Sequence, residues 1–271
     1  MIIVSRTEIY KGMKIIIQLI LGMWLIAIPS QFVAQGTNSE EQVDYMSLSI
    51  QLVQTQKDKG DVKDIVDLLA ASSLEGIAAQ VNTDNKKLAF WINIYNGFIL
   101  HILSESPELY EDRRSFFKEP YIQIAGETLS FANIEHGILR RGQKDWGLGI
   151  LPTFFPPNYA KVLRPDDRDY KIHFGLNCGA KSCPPVGIYR SETIEEQLCM
   201  MKEVFLKKFT DFDKESNTVT TTPLFSWFRG DFGGKRGVKK ILLEQELIPS
   251  TNVSLKFGPY DWTLDIDNFA H

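Results

Sequence analysis

The sequence predicts an α+β fold, because its helical and strand patterns do not alternate regularly as they do in doubly wound α/β proteins. Residues 87–103 (KLAFWINIYNGFILHIL) are apolar on nearly every side, which indicates a helix buried in the core. The segments with strand character are short and are separated by turns. We therefore expect a single domain with a buried N-terminal helix layer and a small, mainly antiparallel sheet.

The first half of the chain is mainly helical. Asp61 begins a short segment with apolar periodicity, and Asp84 is predicted to cap a longer helix that runs to about residue 104. Residues 121–131 (YIQIAGETLSF) predict two short strands joined by a glycine turn. Residues 131–141 (FANIEHGILRR) predict an amphipathic helix that ends before a glycine.

The second half begins with a loop-rich stretch, residues 145–169, and a loop this long in a compact domain is usually functional. Residues 169–176 (DYKIHFGL) predict a strand that leads into a loop with two cysteines. The remaining pattern predicts, in order, a helix over residues 191–209, a strand over 217–222, helices ending at Trp227 and Leu247, and strands over 253–257 and 261–266.

The composition and net charge of the chain restrict the kinds of molecule that it can bind. The chain has 271 residues, of which 44% are hydrophobic and 24% charged, and these are the proportions of an ordinary globular protein. The formal net charge of -4 comes without a basic stripe that could neutralise phosphates. The sequence therefore predicts no nucleic-acid partner.

The first residues have the plan of a secretory signal. Positive charges precede residues 15–28, an apolar run shorter than the roughly 20 residues that a membrane-spanning helix needs. A retained anchor is the alternative, because bulky residues stand where a cleavage site needs small ones. We expect a secreted or periplasmic protein that contacts a membrane only through an uncleaved N-terminal segment. The predicted parts are a signal peptide or anchor (residues 1–35), a polar linker (36–44) and the domain (45–271).

Two asparagines lie inside the buried helix. Asn93 and Asn96 are three residues apart, so they share one side of the helix. A buried amide without a partner costs about 1–3 kcal/mol, so both side chains need hydrogen bonds. They either tie down the backbone of an adjacent loop or orient a catalytic histidine, as asparagine does in papain-like enzymes.

The loop at residues 173–185 (HFGLNCGAKSCPP) holds the residues most capable of chemistry. Zinc needs about four ligands, and His173, Cys178 and Cys183 offer three at most, so we predict no metal. We predict no cofactor either. The two cysteines are either a disulfide, which an oxidising compartment favours, or include a nucleophile whose thiol pKa is lowered by free N–H groups and Lys181. Cys199 lies in a helical pattern, and we expect it to be buried.

Five motifs in order resemble the domain of unknown function 547 family of bacteria and plants. They are FWINIYN, IEHGILR, IHFGLNCGAKSCPP, WFRGDF and YDWTL, and the resemblance runs from about residue 88 to 264. Its function is unsettled, but it shares features with papain-like and transglutaminase-like thiol enzymes, which implies such a fold. Gly175 stands where alanine is more usual. The matching positions are Asn93, Asn96, Glu135, His136, His173, Asn177, Cys178, Cys183, Trp227, Asp231 and Asp261.

The first functional hypothesis is a thiol hydrolase or acyltransferase. Cys178 is its nucleophile, with Cys183 as the alternative, and His173 or His136 is the base. His136 is the better base if His173 lies too close to Cys178 along the chain to face it. Asn93, Asn96 or Asp231 would orient the base, and N–H groups of residues 178–180 would bind an oxyanion. The substrate would contain an amide or acyl bond, in a peptide, a cell-wall fragment or a small conjugate.

The second hypothesis is a non-catalytic ligand-binding or scaffold module with a disulfide between Cys178 and Cys183. The five polar and aromatic motifs would then converge on a ligand pocket. A third interpretation is redox exchange through the two cysteines, although their four-residue spacer is longer than the usual two.

Overall fold

The structure is a computed structural model that describes residues 43–270. The predicted signal peptide or anchor and most of the predicted linker lie outside the described residues. From Val43 onward the chain forms one compact unit. No helix within residues 43–270 is long and apolar enough to cross a membrane.

Four helices open the domain. They are α1 (Tyr45–Lys57), α2 (Lys63–Ala70), α3 (Leu74–Gln80) and α4 (Asp84–Glu105). The predicted buried helix is confirmed, because every residue from 88 to 100 in α4 is buried. Its cap differs by one position from the prediction, since the Thr83 side chain accepts the hydrogen bond from the Lys86 N–H. At Gly97 the backbone of α4 lies so close to α1 that an added Cβ would stand 2.6 Å from the Leu52 side chain.

A hairpin and an unusual helix follow. After a 3₁₀ turn (Pro107–Asp112) and α5 (Arg113–Phe116), β1 (Ile122–Ile124) and β2 (Glu127–Leu129) pair antiparallel, which confirms the predicted hairpin. Ala125 and Gly126 form its turn with positive φ angles of 58° and 72°. The predicted helix after the hairpin is present, but Asn133–Leu139 is wound as a π-helix, a form often found at functional sites.

The second half holds the small sheet. Strands β3 and β4 are antiparallel, as expected, whereas β4 and β5 are parallel because helices connect them. The elements of this half are α6 (Asn158–Leu163), a 3₁₀ helix (Tyr170–Phe174), α7 (Ile194–Phe209), β3 (Asp211–Asp213), β4 (Thr218–Thr221), α8 (Leu224–Trp227), α9 (Gly234–Glu244) and β5 (Ser254–Phe257). The fold is thus α+β with small sheets, as predicted.

Two predicted strands are wrong. Residues 169–176 contain the 3₁₀ helix Tyr170–Phe174, because the Asp169 carboxylate accepts from the Lys171 N–H and starts a turn. Residues 261–266 form no strand and make only one isolated bridge, between Leu264 and Ala180. Their backbone groups bond instead to the irregular cysteine loop, for example from the Lys181 N–H to the Thr263 carbonyl.

Candidate functional site

The cysteine loop is held from below by the two asparagines of α4. Asn96 Nδ2 donates to the Gly175 carbonyl (2.9 Å) and its Oδ1 accepts from the Asn177 N–H (2.8 Å). Asn93 makes the same pair of bonds with the backbone of Tyr189, at 2.8 and 2.9 Å. The structure therefore places both amides against loop backbone, and neither amide bonds a histidine among the described contacts.

A third asparagine folds the loop back on itself. Asn177 Oδ1 accepts from the Gly179 N–H (2.7 Å), and its Nδ2 donates to the Pro184 carbonyl (2.7 Å). Gly179 has a φ of +81°, and a Cβ there would lie 2.9 Å from the Leu103 side chain, so only glycine fits. This fold brings the two cysteines of the loop together.

Cys178 and Cys183 form a disulfide, with an S–S distance of 2.01 Å. The disulfide named in the second hypothesis is thus present, and neither sulfur is a free thiol. Cys199 is free and exposed, so the prediction that it is buried is wrong. The reason is helical phase: in α7 the core-facing positions are Leu198 and Met201.

The two sulfurs have different surroundings. Cys183 is only 2% exposed, whereas Cys178 is partly exposed. Cys183 Sγ accepts from the Cys178 N–H (3.0 Å) and from the Tyr260 hydroxyl (3.2 Å). The Tyr260 hydroxyl also lies 3.4 Å from Cys178 Sγ. Burial raises the pKa of Tyr260 above its ordinary value, so this hydroxyl keeps its proton at neutral pH.

Asp231 lies at the centre of a buried charge network. Its Oδ2 accepts from Arg140 Nε (2.7 Å) and from His173 Nε2 (2.8 Å), and its Oδ1 from Arg168 Nη1 (3.2 Å). Burial opposes ionisation of this carboxyl, but the hydrogen bond from His173 and the charge of Arg140 outweigh it and lower the Asp231 pKa. The carboxylate is therefore charged and fixed.

The network sets the proton positions of both histidines. Arg140 Nη1 lies 2.8 Å from His136 Nδ1, and because arginine can only donate, His136 is a neutral acceptor at Nδ1. His173 donates from Nε2 to Asp231, which leaves its Nδ1 as the basic nitrogen. Burial is the main cause that lowers the pKa of each histidine. His173 also stacks on Phe228, with ring centroids 3.9 Å apart.

These groups meet at a cavity of about 270 Å³. The cavity is lined by four of the predicted site residues: His136, His173, Cys178 and Cys183. Asp231 lies behind His173, and the two asparagines of α4 lie beneath the loop. Aromatic rings supply much of the remaining wall: Tyr95, Phe117, Trp227, Phe228, Tyr260 and Trp262.

Sequence reasoning assigned no role to Glu135, which also lines the cavity. Its Oε1 is buried and has no hydrogen-bond partner within residues 43–270. His136 Nδ1 is 3.6 Å away but already accepts from Arg140, so it has no proton to donate there. The signal in the sequence was a carboxylate beside a histidine in a mostly apolar motif, IEHGILR.

The sequence offers Arg140 only as a partner for His136 one helical turn away, and the structure shows that contact, whereas Tyr260 was missed. Arginine is the largest charged residue, yet Arg140 is only 1% exposed. Its burial is explained by partners that only the fold reveals, such as Asp231. Tyr260 begins the YDWTL motif, whose aromatic residues were the available signal.

The part of the chain that holds most of this site matches a known family. A family model described as "Protein of unknown function, DUF547" covers residues 79–206. This segment belongs to the DUF547 family. The resemblance drawn from the motifs is thereby confirmed for α4, the π-helix and the cysteine loop of the DUF547 segment, while Asp231 and Tyr260 lie beyond it.

No curated protein and no solved structure matches the chain. The papain-like or transglutaminase-like fold implied by the resemblance therefore stays a prediction. Within residues 43–270, no group of three or more His, Cys, Asp and Glu side chains is arranged to hold a metal ion.

Proposed function

We propose that the protein binds a small organic ligand with a cationic amine group in the cavity, with Glu135 as the contact for the amine. The observation that carries this proposal is the buried Glu135 Oε1, which has no partner among the described residues. A buried carboxylate is costly unless a donor or a cation compensates it. A ligand ammonium would supply both.

The other carboxylates near the cavity are already paired. Asp145 Oδ2 lies 2.8 Å from Lys118 Nζ, and Asp231 is held by Arg140 and His173. His136 is neutral, so it adds no positive charge beside Glu135. Among the acidic side chains that line the cavity, Glu135 is therefore the one whose Oε1 has no partner within residues 43–270.

The aromatic walls support the same ligand class. Trp227 and Trp262 are stacked, with centroids 5.5 Å apart, and Tyr260 lies 4.6 Å from Trp262. Aromatic faces attract cations by about 0.5–2 kcal/mol and also accept apolar groups. The ligand would thus combine an apolar body with an amine.

Calorimetric titration with benzylamine, which is protonated at neutral pH, and benzyl alcohol, its neutral counterpart, tests the proposal. We expect the protein to prefer benzylamine by about tenfold or more, the contribution of a hydrogen bond to a charged group. Glu135→Gln should abolish the preference, whereas Glu203→Gln, on the exposed side of α7, should keep it. Absence of benzylamine binding, or a preference that survives Glu135→Gln, would contradict the proposal.

A second candidate function, acyl transfer by Cys178, is favoured by the orientation of His173. Its Nε2–H is directed at Asp231, which leaves Nδ1 as the basic nitrogen of a ring that lines the same cavity as Cys178. These are the nucleophile, base and orienting group of a thiol enzyme acting on an amide or acyl bond in a peptide, cell-wall fragment or small conjugate. Since Cys178 is in a disulfide, the reaction requires prior reduction.

Nitrophenol release from p-nitrophenyl acetate tests this second candidate. We expect a burst only after reduction, no burst in Cys178→Ser, and a slower burst in His173→Gln. Cys199→Ser serves as the control, because that thiol lies on the exposed face of α7. Equal rates for the reduced protein and Cys178→Ser would exclude Cys178 as the nucleophile.

An extracytoplasmic location is also part of the proposal. The disulfide supports it, because such bonds persist mainly in oxidising compartments. Fractionation of cells that express the full chain would test it, and recovery of the protein in the cytoplasm with a reduced Cys178 would contradict it.

A further inference from the structure

We infer that the disulfide between Cys178 and Cys183 is an exchange site for small thiols that enter the cavity. In this activity Cys178 is the sulfur that is attacked and Cys183 the sulfur that leaves. The inference depends on the surroundings of the two sulfurs and not on Glu135 or on any acyl substrate. It therefore goes beyond both proposed functions.

The direction of attack follows from exposure. Both cysteines line the cavity, but Cys178 is partly exposed whereas Cys183 is only 2% exposed. Thiol–disulfide exchange needs access to the sulfur that is attacked. A thiol in the cavity therefore meets Cys178 first.

Two hydrogen-bond donors next to the leaving sulfur can stabilise its negative charge. Cys183 Sγ already receives the Cys178 N–H at 3.0 Å and the Tyr260 O–H at 3.2 Å. A thiolate accepts hydrogen bonds more strongly than a disulfide sulfur does, so both contacts strengthen as the S–S bond breaks. Donors that gain strength in the transition state accelerate the step.

The reaction consists of two successive thiol–disulfide exchanges. A thiolate R–S⁻ attacks Cys178 Sγ and forms R–S–S–Cys178, while the S–S bond breaks and its electron pair goes to Cys183 as a thiolate. A second thiolate attacks the R sulfur, releases Cys178 as a thiolate and forms R–S–S–R. The two small thiols are thereby oxidised by two electrons, and the protein disulfide is reduced to two thiols.

The loop does not need the disulfide to keep its shape. Asn96 and Asn177 already hold its backbone at Gly175, Asn177, Gly179 and Pro184. A disulfide that closes so short a loop removes little entropy from the unfolded chain, so it contributes less to stability than a long-range one. The bond can therefore open while the site persists.

The rate of reduction by 2-mercaptoethanol at neutral pH tests the inference. All variants carry Cys199→Ser, so that the thiols released by reduction come only from Cys178 and Cys183. We expect the folded protein to be reduced at least as fast as the same protein in concentrated urea. A structural disulfide would be protected, and reduction of the folded form about tenfold slower than of the unfolded form would overturn the inference.

Tyr260→Phe separates the role of the donor from simple exposure. We expect it to slow reduction of the folded protein by about tenfold, the effect of one hydrogen bond to a charged group, and to leave the urea-unfolded rate unchanged. Tyr121→Phe is the matched control, since the Tyr121 ring lies against Phe116, away from the sulfurs. Equal rates for Tyr260→Phe and Tyr121→Phe would contradict the assigned role.

Peptide mapping after acid quenching identifies the sulfur that is attacked, and it does not require Tyr260→Phe to fold. We expect the mixed disulfide with 2-mercaptoethanol on Cys178.

Labelling of single variants with a dithiobisnitrobenzoate probe gives a second measurement. Cys183→Ala should leave a Cys178 thiol that reacts rapidly, and Cys178→Ala should leave a Cys183 thiol that reacts slowly. A mixed disulfide on Cys183, or faster labelling of Cys183, would reverse the assignment. Retained benzylamine binding in these variants would show that the proposed function stands independently.

Discussion

Arg140 controls the protonation of the site at the scale of single residues. Its guanidinium joins His136 to Asp231, and its planar group also lies 4.7 Å from the Phe228 ring. One buried cation therefore fixes a neutral imidazole on one side and a carboxylate on the other. These contacts compensate Nε and Nη1 of the buried guanidinium, whereas its Nη2 has no hydrogen-bond partner within residues 43–270.

Replacing Asp231 by Asn should destabilise the protein by about 3 kcal/mol or more, because it leaves a buried guanidinium without its counterion. Urea unfolding would measure this loss. Asp167→Asn, at an exposed aspartate, should change the free energy of unfolding by less than about 0.5 kcal/mol. Equal effects of the two substitutions would show that the network is not what holds Arg140.

Stability should fall as the pH drops below the ordinary histidine pKa of about 6.5. Burial lowers the pKa of His136 and His173 in the folded state, so the unfolded chain takes up protons first. The histidine contribution is complete above pH 6.5 and is lost as the pH falls through the lowered folded pKa. Unfolding measured between neutral and mildly acidic pH should show a smaller fall in His136→Gln. An unchanged or rising stability would contradict this.

At the scale of elements, the sequence pattern predicts long and locally specified segments well. Helix α4 is apolar throughout, and the β1–β2 hairpin has its own turn residues, so neither depends on distant contacts to be recognised. Residues 169–176 were misread because an apolar alternation of this length also fits one buried 3₁₀ turn. The π winding of Asn133–Leu139 could not be predicted, since its apolar period is close to that of an α-helix.

Gly97→Ala should destabilise the contact between α1 and α4 by about 1–3 kcal/mol, because the new Cβ would stand 2.6 Å from Leu52. Gly137→Ala is a matched control inside a helix, with nothing within 4 Å of the added Cβ. It should be neutral or stabilising by up to about 1 kcal/mol. Urea unfolding of both variants tests the crossing, and equal stabilities would refute it.

At the scale of the whole molecule, the cavity is assembled from distant parts of the chain. The π-helix supplies Glu135, the cysteine loop supplies Cys178, α8 supplies Trp227, and the last segment supplies Tyr260. The motif residues and their order are visible in the sequence, and four predicted residues do line the cavity. The pairing of Asp231 with Arg140, and a Glu135 Oε1 without a partner among residues 43–270, depend on three-dimensional placement, so the sequence alone could not reveal them.

The loop between the π-helix and α6 carries large apolar side chains on the surface. Phe154 is 80% and Phe155 93% exposed. Because they pack against little, Phe154→Ser with Phe155→Ser should change the free energy of unfolding measured in urea by less than about 0.5 kcal/mol. Phe131→Ala, at a buried ring, should cost about 3–5 kcal/mol. A large loss of stability in the loop variant would show that these rings are packed.

The central claim is that the cavity beside Glu135 is a binding site for an amine. The most direct measurement is a crystal structure of the protein with 4-bromobenzylamine, in which anomalous scattering locates the bromine. We expect a bromine peak within the aromatic wall near Trp227 and Trp262, with the ligand nitrogen within hydrogen-bond distance of Glu135 Oε1. A peak at another surface, or an unoccupied cavity at saturating ligand, would contradict it.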